Sequence, residues 1–430
     1  MKVRYSYLKQ QFSNAPDLWK KLKDFVETGD FTLGKPLQEF EKKFAKLIGT
    51  KYAVGVNSGT DAIKLSLKVL KIKPGDEVIT AANTFVATVG AICELGAIPI
   101  FVDCDDTFCM NVSLIEKKIT KKTKAIVPVH FTGYMTNMIS LNKIAKKYNI
   151  PVVEDACQSI LASINNKNSG TWSDFGAFSL HPLKNINVWS DGGVIVTSNK
   201  KYYEHLKLLR NHGLVDRDNV KITGYNSRLD TFQSVVGNWL IPSAKKIANQ
   251  RIKNANYYDS NLKKINGIVI PPRIKNYKIV YHLYIVFAEN RDALLKYCIK
   301  KGIEAKIHYP IPMYRQPAMK FLKHKIGDFP VSDKHAKNII SFPTAATPPQ
   351  NMLKRMIRVK PPSKSHKSSG MNATFEPMNF IKNGNKKPPT NTPSASSEIE
   401  IPIRLRRRLL KPGMSPIARS FANSGRTEES

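Results

Sequence analysis

Between Gly49 and Thr197 the chain alternates two rhythms of apolar and polar positions. Short runs that are apolar at nearly every position predict strands buried on both faces. These runs are Tyr52–Val56, Glu77–Thr80, Ile98–Val102, Ala125–His130, Pro151–Glu154, Gly176–Ser179 and Gly193–Thr197. Helical spacing fills several of the gaps: Asp61–Leu70, with Ile63, Leu67 and Leu70 on one face, then Phe85–Leu95 and Leu141–Tyr148. This order predicts an α/β fold, a mostly parallel seven-stranded sheet between helices. Such sheets bind ligands at the carboxyl ends of their strands.

The pattern changes outside that core. Leu18, Leu22 and Val26 stand at helical spacing and predict a helix in residues 1–30, packed on the surface or across a subunit interface. Residues 31–248 read as the large domain. Residues 249–345 mix the two periods, with a strand at Tyr281–Ala288, a helix at Arg291–Lys301 and a short strand at Ala305–Tyr309. They predict a smaller C-terminal α+β domain. Residues 346–430 are a basic tail; its Ser, Pro, Asn and Lys content over Ser363–Ser397 predicts disorder.

Composition narrows the function. At 430 residues and 42% hydrophobic content the chain can bury large cores. It has no apolar run of the roughly 20 residues a membrane span needs, and its first residues lack a secretory h-region. A cytoplasmic protein is expected. The five cysteines form no C-x-x-C pair, so no metal site or disulfide framework is expected. The net charge of +35 invites a nucleic-acid reading. The excess is nevertheless spread as single lysines, such as Lys64, Lys68, Lys71 and Lys73, which read as solvated surface. No basic stretch is interleaved with aromatics, so no nucleic-acid partner is expected. Arg404–Arg408 is a basic cluster within the tail.

Each chemical motif falls where a predicted strand ends. Asn57-Ser58-Gly59-Thr60-Asp61 joins a strand to a helix. A helix N-terminus offers free N–H groups to a phosphate, and the same residues serve equally as an ordinary cap. Phe85 opens the next helix, where an aromatic can stack on a planar ring or simply fill the core. Asp155 ends the strand Pro151–Glu154, with Gln158 three residues later. A carboxylate there can keep a pyridine nitrogen protonated or cap a helix. Gln158 can donate to a phenolic oxygen. Ser179 can bind phosphate. Lys184, ahead of Asp191-Gly192-Gly193, can form a Schiff base with an aldehyde and then act as a general base. Together these are the groups that pyridoxal 5′-phosphate (PLP) needs from a protein.

The ordered segments Asn57–Ala62, Asn83–Thr88, Glu154–Gln158, Phe178–Asn185, Asp191–Gly193 and Tyr225–Asp230 resemble the DegT/DnrJ/EryC1/StrS family of nucleotide-sugar aminotransferases, over about residues 31–312. The resemblance implies fold type I and PLP as cofactor. It makes Lys184 the Schiff-base lysine and pairs Asp155 with the pyridinium nitrogen. Gln158 would contact the phenolic oxygen, Phe85 would stack on the ring, and Ser58, Gly59, Thr60 and Ser179 would hold the phosphate. It also implies a homodimer with shared active sites, in which Asn226 reaches the partner's phosphate. His308 and Tyr309 would line the sugar end. The implied substrates are an amino acid, usually glutamate, and a nucleotide-linked keto-deoxysugar. Members that remove a hydroxyl carry histidine where Lys184 stands, so transamination is expected over dehydration. A non-catalytic regulator on the same fold is the other alternative. The chain departs from the family at Cys157, at Ser190 and after Pro343, where relatives continue into a closing helix.

Overall fold

The computed structural model describes residues 3–344. The tail from 346 onward, with its expected disorder and basic cluster, lies outside the described residues. Seven strands make the main sheet. They are β1 (Tyr52–Val56), β2 (Glu77–Ala81), β3 (Ile98–Val102), β4 (Thr123–Val127), β5 (Val153–Asp155), β6 (Phe175–Ser179) and β7 (Gly193–Thr197). Their order is β1-β7-β6-β5-β4-β2-β3, with β4 and β5 joined by the bridges Ile126–Val152 and Val129–Asp155. Only β7 runs antiparallel to its neighbours.

Apolar side chains on alternate faces of these strands build a core on each side. Val54, Val56, Phe175, Ala177 and Ile195 join one; Ala53, Phe178, Val194 and Val196 join the other. Because both faces are buried, the strands read as continuous apolar runs. Helix α1 is Leu8–Phe12, α2 is Pro16–Thr28, α3 is Lys35–Ile48, α4 is Gly59–Val69 and α5 is Val86–Glu94. Helices α2 and α3 stop at Gly29 and Gly49, with φ of 65° and 94°, the left-handed cap that glycine adopts without a Cβ penalty. In α2 the buried stripe is Leu18, Leu22 and Phe25, whereas Val26 is 51% exposed. The i, i+4, i+7 spacing corrects the expected stripe by one residue.

Past the sheet come α6 (Met138–Tyr148), α7 (Lys200–Leu209), α8 (Thr231–Leu240) and α9 (Ala244–Leu262). The change from large to small sheet runs along α9, which contains residue 248. The second sheet is antiparallel, ordered β8 (Ile268–Val269), β9 (Tyr284–Ala288), β10 (Ile339–Phe342). Helices α10 (Arg291–Lys300) and α11 (Pro330–Asn338) accompany it. The strand expected at Ala305–Tyr309 does not form: only Lys306 pairs there, as a single bridge to Ser341. One bridge cannot sustain a ladder, and the segment instead turns His308 and Tyr309 toward the main sheet. Among the described residues no helix is long and apolar enough to cross a membrane.

Lys64 corrects the expectation of solvated lysines. It is buried on α4, with Nζ 2.8 Å from Asp61 and 3.1 Å from Glu94, over the Tyr225 ring at 4.6 Å. Two carboxylates and an aromatic face offset its desolvation. Lys68, Lys71 and Lys73 are exposed.

Candidate active site

The parallel pairing brings the carboxyl ends of β1, β2, β4, β5 and β6 to one edge of the sheet. A cavity of about 340 Å³ opens there. Ser58, Gly59, Thr60, Phe85, Asp155, Gln158, Ser179, Lys184, His308 and Tyr309, ten of the eleven site residues expected from sequence, line it. Asn226 does not: it is exposed and lies outside this cavity.

Asp155 is the last residue of β5 and starts no helix. Its Oδ2 accepts from Thr88 Oγ1 at 2.7 Å, and its Oδ1 accepts from the Cys157 N–H at 3.2 Å. Those two donors hold the carboxylate at the cavity wall. Its neighbour Glu154 points to the other face of the strand, as the two-residue period requires.

Beside Asp155 is the seam between α4 and the sheet. Ser58 caps α4, its Oγ accepting from the Asp61 N–H at 3.1 Å. Its hydroxyl proton stays available for a ligand. A Cβ on Gly59 would stand 2.7 Å from Ser179 Cβ and 2.9 Å from Cys157 Sγ, and one on Gly193 would run into the Ser58 carbonyl. The two glycines let the helix end close on β6 and β7. The first N–H groups of α4 are thereby presented to the cavity, unpaired within the helix.

Lys184 follows β6 in a turn closed by its own N–H donating to the His181 carbonyl at 2.8 Å. Its side chain is partly buried in the cavity wall, and its Nζ has no hydrogen bond or ion pair among the described residues. Burial pushes its pKa below the usual lysine range, against the pull of Cys157 and Asp155. A larger share of neutral amine makes a better nucleophile. Gln158 is oriented by the Thr132 N–H, which donates to its Oε1 at 2.7 Å. A backbone N–H can only donate, so the oxygen takes that side and the amide NH₂ is free for a ligand.

Phe85 is the N-cap residue of α5 and is 49% exposed, so it is not core. Its ring lies 5.8 Å from that of Tyr309. Burial, then the charge of Asp155, raises the Tyr309 phenol above its ordinary range. Burial, with Lys306 and Lys184 adding to it, lowers His308 to about 4. His308 Nδ1 is 2.9 Å from Ser341 Oγ.

Tyr5, Tyr7, Arg251, His282 and Lys306 also line the cavity and were not anticipated from sequence. They come from the N-terminal segment, α9 and the edge of the small sheet, far from any motif. Arg251 ties these parts together: it donates to the Tyr281 carbonyl at 3.0 Å and to Tyr7 Oη at 3.3 Å. The charge of the lining is lopsided. Lys184, Lys306 and Arg251 face only Asp155 and Asp191, which suits an anionic ligand, whereas burial keeps the lining histidines His181, His282 and His308 toward their neutral form.

A family model described as the DegT/DnrJ/EryC1/StrS aminotransferase family matches residues 14–358, beyond both ends of the stretch read from sequence. The chain is 35% identical over 347 residues to a pleiotropic regulatory protein of Geobacillus stearothermophilus, covering 80% of this chain and 93% of that one. It is 37% identical over 320 residues to the UDP-N-acetyl-3-dehydro-alpha-D-glucosamine 3-aminotransferase of Acidithiobacillus ferrooxidans, covering 74% and 86%. Its fold is similar to the crystal structure of S. venezuelae DesV, with a TM-score of 0.81 and 32% identity over 83% of this chain and 97% of that one.

Proposed function

Because this chain belongs to the DegT/DnrJ/EryC1/StrS aminotransferase family, we propose that it moves an amino group from L-glutamate to the ketone of a nucleotide-linked deoxysugar in the cytoplasm. It is a PLP-dependent sugar aminotransferase of fold type I. One observation carries the reading: an unpaired lysine amine and an oriented carboxylate open into the same cavity.

The residues present fit the cofactor. A phosphate suits the open N–H groups that the Gly59 and Gly193 contacts expose at the start of α4, with Ser58, Thr60 and Ser179 hydroxyls beside them. Phe85 would form the wall against the ring, Asp155 would keep the ring nitrogen protonated, and the Gln158 NH₂ would donate to the phenolic oxygen. When bound, PLP supplies a carbonyl that amines condense with and a ring that withdraws electrons.

The chain's own residues do the rest. Lys184 would hold the cofactor, and its amine, once free, would move the proton at the donor's α-carbon. His308 and Tyr309 line the end where the sugar would lie. Asn226, exposed in this chain, would reach the phosphate of a partner subunit in a homodimer. The positive lining favours the carboxylates of the donor and the phosphates of the nucleotide.

The purified full-length chain, mixed with PLP, should develop a visible absorbance band that Lys184→Ala abolishes. With L-glutamate and UDP- or dTDP-linked keto-sugars, mass spectrometry should find an amino-sugar and 2-oxoglutarate. A protein that takes up no PLP overturns the reading.

A further inference from the structure

We infer that Thr84 and Thr88 form a directed hydrogen-bond relay that positions the Asp155 carboxylate, with Thr88 as the residue the cofactor chemistry depends on. The inference rests on the PLP reading above.

The direction follows from donor chemistry. Thr88 Oγ1 lies 2.7 Å from Asp155 Oδ2 and 2.8 Å from Thr84 Oγ1. An ionised carboxylate only accepts, so the single Thr88 proton goes to Asp155. The Thr88 oxygen must then accept from the Thr84 hydroxyl. Each hydroxyl in such a chain polarises the next, which strengthens the bond that reaches the carboxylate. Thr84 and Thr88 are both buried, at 3% and 1% exposure, at the wall of the cavity.

The arrangement is local in sequence. Thr84 precedes the N-cap residue Phe85, and Thr88 sits in the first turn of α5, its N–H donating to the Phe85 carbonyl at 3.2 Å. One helix start therefore turns Phe85 to the cavity and both threonines toward β5. The other Asp155 oxygen is held more loosely, by the Cys157 N–H at 3.2 Å. Removing the Thr88 hydroxyl leaves the carboxylate free to rotate about that one bond. Lys184, Cys157 and Tyr309 are the titratable groups whose charge Asp155 feels or perturbs. A rotated carboxylate would alter the environment of all three.

The test compares wild type, Thr88→Val, Thr88→Ser and Thr84→Val as full-length PLP-loaded proteins. Three readouts are taken: the Kd for PLP, the pH at which the visible band changes, and kcat against KM for the amino donor. Thr88→Val should lower kcat by about 10–100-fold, the loss expected for one hydrogen bond to a charged group, with KM for the donor little changed. The band's titration should shift, and Thr88→Ser should restore it. Thr84→Val should shift the same readouts by a smaller factor. Equal titrations and equal kcat in wild type and Thr88→Val overturn the relay. If Thr88→Val does not fold, judged by circular dichroism, Thr84→Val and Thr88→Ser decide on the same terms: a shifted Thr84→Val beside a normal Thr88→Ser supports the relay, and anything else overturns it. A wild type that binds no PLP refutes the cofactor reading, whereas a loaded wild type matched by Thr88→Val refutes only the relay.

Discussion

Glu154 and Asp155 are consecutive carboxylates on one strand, and the two faces of the sheet treat them differently. Behind the sheet, Glu154 is fully buried and accepts four hydrogen bonds. His130 Nε2 donates at 2.9 Å, the Gly170 N–H at 2.7 Å, the Trp172 N–H at 2.8 Å and Ser173 Oγ at 2.9 Å. His130 is itself oriented, its Nδ1 accepting from the Thr136 N–H at 3.3 Å. In front, Asp155 has two donors and shares its cavity with a lysine amine and a glutamine NH₂ that have no partner among the described residues. Saturated polar groups hold a fold together, and unsaturated ones facing a cavity await a ligand. The acidic pair is thus one structural residue and one functional residue.

The largest separation between the faces should come from Lys184. Replacing it with Ala should cut transamination by about 10⁴-fold, while thermal unfolding followed by circular dichroism barely moves. Nothing among the described residues binds its Nζ, so no contact is lost. Behind the sheet the reverse holds. Glu154→Leu leaves His130 Nε2 and the Gly170 and Trp172 N–H groups without their acceptor, while Ser173 keeps the Phe175 carbonyl, and should lower the unfolding free energy by about 3–5 kcal/mol in a urea titration. A mild Glu154→Leu together with a Lys184→Ala that unfolds the protein would erase the distinction between the faces.

Gly59 lies on the seam between fold and site, so it should affect both. The added Cβ of Gly59→Ala meets Ser179 and Cys157 and should cost about 1–3 kcal/mol of stability. It should also weaken PLP uptake measured by absorbance, because the helix end is pushed off β6.

The smallest effect sharpens what an unsaturated group means. His335 is buried between Phe108 at 5.1 Å and Phe287 at 5.4 Å, neither ring nitrogen is bonded among the described residues, and it is not part of the active-site cavity lining. Burial lowers its pKa to about 4, below the roughly 6.5 of an unfolded histidine. Its contribution to stability is therefore complete above pH 6.5 and is lost as pH falls toward 4. At pH 6 the loss should be about 1 kcal/mol relative to pH 8. His335→Leu should reduce the fall in melting temperature between pH 8 and pH 6 without changing kcat, the remainder coming from His282 and His308, which burial also holds low. An unpaired polar group marks a site only where it meets an opening.

Much of this was legible in the chain. Tyr52–Val56, Ile98–Val102 and Gly193–Thr197 are bounded by turn residues, and their strands begin and end where the apolar runs do. Lys184, Asp155, Gln158 and the Ser58–Thr60 turn sit at strand ends, so finding the strands found the cavity wall. Ala305–Tyr309 misled because a short apolar run does not reveal whether a neighbour exists to pair with. Lys64 misled because its partner Glu94 is thirty residues away and the aromatic beneath it further still. Thr84 and Thr88 lie in the segment Asn83–Thr88 but received no role from sequence, since two threonines at the start of a helix are common and their meaning lies in what Asp155 receives.

By itself the sequence determined the alternation of strands and helices, the order of the chemical residues and the end of the sheet where they gather. Those depend on local periodicity and on the right-handed, parallel connection of successive units, which short segments encode. Only the tertiary structure decided which carboxylate faces the cavity with donors to spare, which threonine proton points where, and that Tyr5, Arg251 and Lys306 complete the wall. Those depend on distances between segments far apart in the chain, and hydrogen-bond direction and desolvation are set only once those segments meet.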